Sequence, residues 1–226
     1  MSKAASVLSG PRVEPRSGKA DRLIVLCHGY GANGQDLISL APHWQRLMPT
    51  AAFSAPNAPE PCPMAPGGYQ WFPISRLDPS EMHKGVTRAA PVLEAFLDGE
   101  LARYGLDALR LALVGFSQGT MLALQVGLRR KIAPAGIVGY SGALAGAELL
   151  KDEIRVRPPV LLVHGDADEM IPVQALHLAA QALAVAGVSV QWHVARGTGH
   201  GIDAEGLELG GRFLVDAFSC RLANEA

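Results

Sequence analysis

The sequence contains few cysteines and no long apolar segment. Its three cysteines, Cys27, Cys62 and Cys220, are widely spaced and odd in number, so they predict neither a disulfide framework nor a zinc site. Residues 1–20 lack an apolar stretch of signal-peptide length, and no segment is long and apolar enough to span a bilayer. We therefore expect a reducing, cytoplasmic location without integral membrane association.

An excess of charge of one sign is also missing. The chain has 20 Lys and Arg against 21 Asp and Glu, a net charge of −1. Because no basic surplus is present, nucleic acid and anionic membrane surfaces are not expected partners. No internal repeat or linker divides the 226 residues, and a hydrophobic content of 49% suffices for one large core. The expectation is one domain over residues 1–226, with a homodimer left open.

Strand-like apolar runs alternate with helix-like segments along most of the chain. The expected strands are 22–27, 50–55, 109–114, 136–141, 159–164 and 188–194, and the expected helices are 36–45, 82–104, 120–130, 173–186 and 207–221. This alternation predicts an α/β fold with a mostly parallel central sheet and helices on both faces. Residues 7–14 are expected to form a hairpin with 22–27. Pro91 should kink its helix or mark the first turn.

The pentapeptide Gly115-Phe116-Ser117-Gln118-Gly119 lies between a predicted strand and a predicted helix, and it reads G-x-S-x-G. In that context the serine is held on a tight turn with its hydroxyl exposed above the sheet. The new helix directs free N–H groups and a partial positive charge at the turn, which would stabilise an anion forming beside Ser117. The pattern indicates a nucleophile. A purely structural turn is the alternative.

A serine nucleophile needs a base, and the base needs a third group to hold it. In a parallel sheet the binding crevice lies beyond the carboxyl ends of the strands. Asp166 and Asp168 follow one predicted strand, and His200, flanked by two glycines, follows the next. The chain order Ser117, Asp168, His200 is that of the α/β-hydrolases. Asp166 is the alternative acid, because a short side chain there can also bond the backbone of its own turn.

The other six histidines are expected to have structural or surface roles. They are His28, His43, His83, His164, His177 and His193.

Residues 56–79 are rich in proline and glycine and carry several aromatic side chains. Long irregular segments inside a compact domain are usually functional or disordered, and the aromatic content argues against disorder. We expect an active-site loop at about 56–83, with Trp71 and Phe72 turned inward to bind substrate. In the alternative interpretation these rings only fill the core.

Four motifs occur in a characteristic order along the chain. They are His28-Gly29-Tyr30-Gly31, the G-x-S-x-G pentapeptide, His164-Gly165-Asp166-Ala167-Asp168 with Ile171-Pro172, and Gly199-His200. Together they resemble the phospholipase/carboxylesterase family of α/β-hydrolases over nearly the whole chain. The resemblance implies that Asp168 is the acid and that the backbone N–H groups of Tyr30 and Gln118 form the oxyanion hole. It also implies that Trp71 belongs to a substrate-side loop.

The function implied is hydrolysis of small-molecule or lipid-like acyl esters, through a Ser-His-Asp triad and an acyl-enzyme, without metal or cofactor. Acyl-protein thioesterase or lysophospholipase activity needs the same machinery and is the alternative. Tyr30 stands where thioesterases commonly carry leucine, which weakens that alternative, and Thr120 stands where many members carry glycine. A catalytically silent hydrolase fold that serves as a binding module is more remote, because the motifs are complete.

Overall fold

The fold is built on one seven-stranded sheet. The computed structural model describes residues 8–74 and 78–223; Val7 and residues 75–77, which fall in predicted segments, lie outside the described residues. The strands are β1 (Arg12–Val13), β2 (Arg22–Cys27), β3 (Ala51–Ser54), β4 (Glu60–Pro61), β5 (Tyr69–Gln70), β6 (Leu111–Phe116), β7 (Gly136–Tyr140), β8 (Val160–Gly165) and β9 (Val190–Ala195). The main sheet has the order β1-β3-β2-β6-β7-β8-β9, and every pair except β1–β3 is parallel. The mostly parallel α/β architecture is confirmed.

Helices follow most strands and cover both faces of the sheet. They are α1 (Gly34–Ile38), α2 (Ala41–Trp44), α3 (Pro79–Tyr104), α4 (Gln118–Gly127), α5 (Leu150–Glu153), α6 (Gln174–Val185) and α7 (Ala204–Ala223), with 3₁₀ turns at Ala108–Arg110 and Ala147–Leu149. In the described part of the chain, no helix combines the length and apolar character needed to cross a membrane.

Successive residues of the central strands bury their side chains on opposite faces. In β2, Leu23, Val25 and Cys27 pack on the face covered by α3, α4 and α6, whereas Ile24 and Leu26 pack on the other face. All five are fully buried. Two-sided burial explains why the strands read as continuous apolar runs and were recognisable in the sequence.

The hairpin expected between residues 7–14 and 22–27 is wrong. Strand β1 pairs instead with β3, with Arg12 opposite Ser54 and Val13 opposite Phe53. Strand β2 lies between β3 and β6, so both of its edges are already hydrogen-bonded. The first strand therefore takes the free edge of β3.

Three other boundaries differ from expectation. The helix expected over 36–45 is split into α1 and α2, because Pro42 lies in the first turn of α2 and cannot donate a helical hydrogen bond. Helix α3 begins at Pro79 and contains Pro91 in its interior, so that proline does not mark the first turn. The segment 56–79 is not irregular throughout, since β4 and β5 form an antiparallel hairpin within it.

The turn from β6 into α4 depends on two glycines. A Cβ on Gly119 would lie 1.9 Å from the carbonyl oxygen of Cys27, at the end of β2. A Cβ on Gly115 would lie 2.4 Å from the backbone nitrogen of Thr120, in the first turn of α4. Both obstacles are backbone atoms, which cannot rotate away. Glycine at these positions is what allows α4 to start directly against β2.

We expect Gly119→Ala to lower the free energy of unfolding by at least about 1–3 kcal/mol, the usual cost of overpacking. Gly99→Ala is the matched control, because Gly99 is exposed within α3 and a Cβ there meets nothing within 4 Å. The free energy of unfolding of that control should rise by about 0.5–1 kcal/mol, because alanine is more stable than glycine inside a helix. Urea denaturation of the three proteins measures both changes. Equal stability of the two variants would show that the contact with Cys27 does not constrain the fold.

Candidate active site

Ser117 lies at the turn between the central strand β6 and helix α4. Its backbone has φ 54° and ψ −116°, outside the regions that non-glycine residues normally occupy. The Ser117 N–H donates to the carbonyl oxygen of Tyr140 at 2.9 Å, which ties the turn to the neighbouring strand β7. A backbone held in such a conformation by its surroundings is typical of functional turns.

His200 lies in the loop between β9 and α7 and is bonded to Asp168. Its Nδ1 is 2.8 Å from Asp168 Oδ2, and its side chain is 15% exposed. The His200 ring packs against Phe116 with 5.0 Å between ring centroids, and Phe116 directly precedes Ser117. Because Nδ1 donates to a carboxylate, the neutral ring presents Nε2 as a hydrogen-bond acceptor.

The carboxylate of Asp168 is fully removed from solvent yet well supplied with donors. Its Oδ1 accepts from the backbone N–H groups of Met170 and Ile171, both at 2.9 Å. Burial alone would raise the pKa of Asp168, but the hydrogen bonds from Ile171, His200 and Met170 outweigh it and lower that pKa below its usual value. Asp168 therefore stays ionised next to His200 at neutral pH.

Asp166, the alternative acid, does not contact His200 in the structure. It is exposed, and its Oδ1 accepts from the Gly197 N–H at 2.6 Å. It therefore ties the loop after β8 to the turn that follows β9.

His164 makes a contact that sequence reasoning missed. Its Nε2 is 2.8 Å from the carbonyl oxygen of Ile171 and 3.2 Å from Asp168 Oδ2, and the ring is buried. The hydrogen bond from Nε2 goes to the Ile171 carbonyl oxygen, and the same ring lies close to the carboxylate oxygen that His200 uses. The only signal in the sequence was the position of His164 near the end of a strand, four residues before Asp168.

The two backbone N–H groups predicted to form the oxyanion hole lie on either side of the elbow. Gln118 is the first residue of α4, where backbone N–H groups have no acceptor inside the helix. In the loop after β2, the N–H of Gly31 donates to Tyr69 and that of Ala32 to Gly29, while no described residue accepts from the N–H of Tyr30.

The loop after β2 touches the elbow directly. A Cβ on Gly29 would lie 3.3 Å from the Cβ of Ser117. The hydroxyl of Tyr30 lies near the Cys62 thiol, and hydrogen bonding with that thiol raises the pKa of Tyr30.

Trp71 and Phe72 are buried in the core, at 1% and 0% exposure. Phe72 packs against α3, since a Cβ on Gly85 would lie 2.3 Å from its ring. This burial favours the alternative in which the two rings fill the core. Neither ring presents surface to a substrate in this conformation, because the segment that carries them packs against α3 and is hydrogen-bonded to Gln118 of the elbow.

An apolar cleft of about 340 Å³ lies beside helix α4. It is lined by α3, α4, α6 and the loops that follow β7 and β8. Met121 in its wall lies one turn along α4, with its N–H 3.3 Å from the Ser117 carbonyl oxygen. Ile171, also in the wall, donates to Asp168.

The chain is similar to a known family, to characterised relatives and to a solved structure. The sequence model of the phospholipase/carboxylesterase family matches residues 8–215. The crystal structure of esterase PE8 is 42% identical, with a TM-score of 0.90 over 93% of this chain and 99% of that one. Acyl-protein thioesterase 1 of Saccharomyces cerevisiae is 31% identical over 74% of this chain and 78% of its own length. Esterase YpfH of Escherichia coli is 26% identical over 84% and 80%. The chain belongs to the phospholipase/carboxylesterase family of α/β-hydrolases and is a carboxylic ester hydrolase.

Proposed function

We propose that the protein hydrolyses carboxylic esters through a covalent acyl-enzyme on Ser117, with His200 as the base and Asp168 as its orienting acid. The observation that carries the proposal is the 2.8 Å bond between His200 and Asp168, because the His200 ring also packs against Phe116, the residue that directly precedes the positive-φ Ser117. Ser117, Asp168 and His200 follow three parallel strands that end at one edge of the sheet, which supports the shared role that nucleophilic catalysis requires of them.

In the first step, Ser117 Oγ attacks the acyl carbon while His200 Nε2 takes its proton. Asp168 stabilises the imidazolium that results and holds the ring in the correct tautomer. The alcohol then leaves with the proton returned by His200, and the acyl group stays on Ser117. Water, activated by the same His200, attacks the acyl-enzyme and releases the carboxylic acid.

The oxygen of the tetrahedral intermediate carries the negative charge that must be stabilised. In the proposal the N–H groups of Gln118 and Tyr30 donate to it. Both belong to segments held against the elbow, and preorganised donors of this kind are usually the largest single contribution to such catalysis.

We expect Ser117→Ala to abolish ester turnover while leaving the fold intact. Loss of the nucleophile should lower kcat by about 10⁴-fold or more. Hydrolysis of p-nitrophenyl butyrate measures the change, and a thermal melt confirms folding. A folded variant with activity within tenfold of wild type would remove Ser117 from the mechanism. A wild-type enzyme with no turnover of any ester would favour a binding module.

The acyl chain is assigned to the apolar cleft rather than to the buried Trp71 and Phe72. Ala175 and Leu178 of α6 and Met121 of α4 offer apolar walls beside the elbow. A direct substrate contact of Trp71 and Phe72 would require their segment to move out of the core.

Filling the cleft should shorten the acceptable acyl chain. Ala175→Phe should lower kcat/KM for octanoyl esters by about tenfold or more and spare acetyl esters, since two excluded methylenes cost about 0.8 kcal/mol each. Ala184→Phe, on the exposed side of α6, is the matched control and should leave kcat/KM unchanged for both octanoyl and acetyl esters. A series of p-nitrophenyl esters of increasing chain length measures the effect. Equal losses for acetyl and octanoyl esters would show that the cleft does not bind the acyl chain.

Thioester hydrolysis is the second candidate, because several curated relatives are acyl-protein thioesterases. The same series made with acyl thioesters separates the two activities. The likeness to esterase PE8, which is higher in identity, supports the oxygen ester as the better substrate. The cytoplasmic location and the homodimer stay predictions.

A further inference from the structure

The side-chain amide of Gln118 bridges two backbone groups of another segment. Its Oε1 accepts from the Trp71 N–H at 2.9 Å, and its Nε2 donates to the Phe72 carbonyl oxygen at 2.8 Å. Gln118 is fully buried. Both ends of the amide are thus used, and a buried amide that loses one of these partners would leave a costly unpaired group.

The bridged segment in turn holds the loop after β2. The indole Nε1–H of Trp71 donates to the carbonyl oxygen of His28 at 2.9 Å. The two rings also pack against each other, with 5.4 Å between centroids. The loop that carries Tyr30 therefore begins at a carbonyl group fixed by Trp71.

His28 sets the orientation of the next peptide unit. The Ala58 N–H donates to His28 Nε2 at 2.9 Å, so the proton of the neutral ring is on Nδ1, which donates to the Gly29 carbonyl oxygen at 2.7 Å. Burial lowers the pKa of His28, which keeps the ring neutral. In a planar trans peptide the N–H points opposite to the C=O. Fixing the Gly29 oxygen therefore fixes the direction of the Tyr30 N–H.

We propose that the side-chain amide of Gln118 is a positioning group that ties the two oxyanion N–H donors to each other. Gln118 carries one donor on its own backbone. Its side chain reaches the other donor, on Tyr30, through Trp71 and His28. The inference rests on the proposed function, and it gives Trp71 a role in holding the oxyanion hole instead of binding substrate.

The alternative is that Gln118 only stabilises the core. The two roles differ in what they change, because a positioning role affects the transition state more than the bound substrate. A whole oxyanion donor typically raises kcat by about 10²–10³-fold. A donor that is displaced by a fraction of an ångström loses part of that rate enhancement.

Gln118→Met removes both side-chain hydrogen bonds while keeping the backbone N–H and a similar volume. We expect kcat for p-nitrophenyl butyrate to fall about 10–100-fold, which is part of the effect of a whole oxyanion donor, with KM nearly unchanged. Gln125→Met is the matched control. Gln125 is buried in the same helix, and its Oε1 has no partner among the described residues. The control should keep the wild-type kcat.

A trifluoromethyl ketone provides a readout that a purely structural role would not move. Ser117 adds to its carbonyl and forms a hemiketal oxyanion, with the serine proton passing to His200. Its inhibition constant should rise in Gln118→Met in proportion to the loss of kcat/KM. Trp71→Phe lacks the indole N–H but keeps an aromatic ring, so it should show smaller losses of kcat and of ketone binding. It replaces Gln118→Met as the test variant if Gln118→Met does not fold.

Near-normal kcat in a folded Gln118→Met enzyme, or in Trp71→Phe if that is the variant that folds, would overturn the inference. Equal losses in Gln118→Met and Gln125→Met, or a loss of kcat without weaker ketone binding, would also overturn it. Failure of the proposed function itself is distinguishable, because Ser117→Ala would then stay active.

Discussion

The contact between helix α4 and the end of strand β2 is the constraint on which the site depends. A single Cβ at Gly119 would come within 1.9 Å of the Cys27 carbonyl oxygen, so the two backbones can approach only without a side chain between them. This approach places the first N–H groups of α4 beside the loop that carries Tyr30. The bond from the Ser117 N–H to Tyr140 then holds the intervening turn at its unusual φ.

The sheet also places one buried charge, the carboxylate of Asp168, where it orients His200. Strands β6, β8 and β9 end at the same edge of the sheet, where Ser117 follows β6 and where Asp168 and His200, which follow β8 and β9, are 2.8 Å apart. Asp168 can stay ionised without solvent because two backbone N–H groups and the His200 ring donate hydrogen bonds to it. A buried carboxylate with so many donors is held in one orientation, and it holds His200 in turn.

Much of this architecture could be predicted from the sequence because it depends on local patterns. Buried strands appear as apolar runs, and residues that follow them in a parallel sheet must share an edge, which was enough to predict the contact between Asp168 and His200. The part that Ser117 plays beside them stays a prediction. The pairing of β1 with β3 could not be predicted, because a strand can add only to a sheet edge, and the sequence does not show which strands already have two partners. Whether the inward-turned Trp71 binds substrate or fills the core, and the proximity of His164 to Asp168, depend on packing between distant segments. Local sequence patterns do not determine such packing.

The central claim is that the acyl group is transferred to Ser117. Incubation with a fluorophosphonate, followed by proteolysis and mass spectrometry, tests it most directly, because this reagent reacts with activated serine hydroxyls. The account predicts one adduct per chain, located on the peptide that contains Ser117, with turnover lost in proportion to labelling. Full ester turnover in an enzyme labelled to completion at Ser117, or an inactivating adduct on another residue, would contradict it.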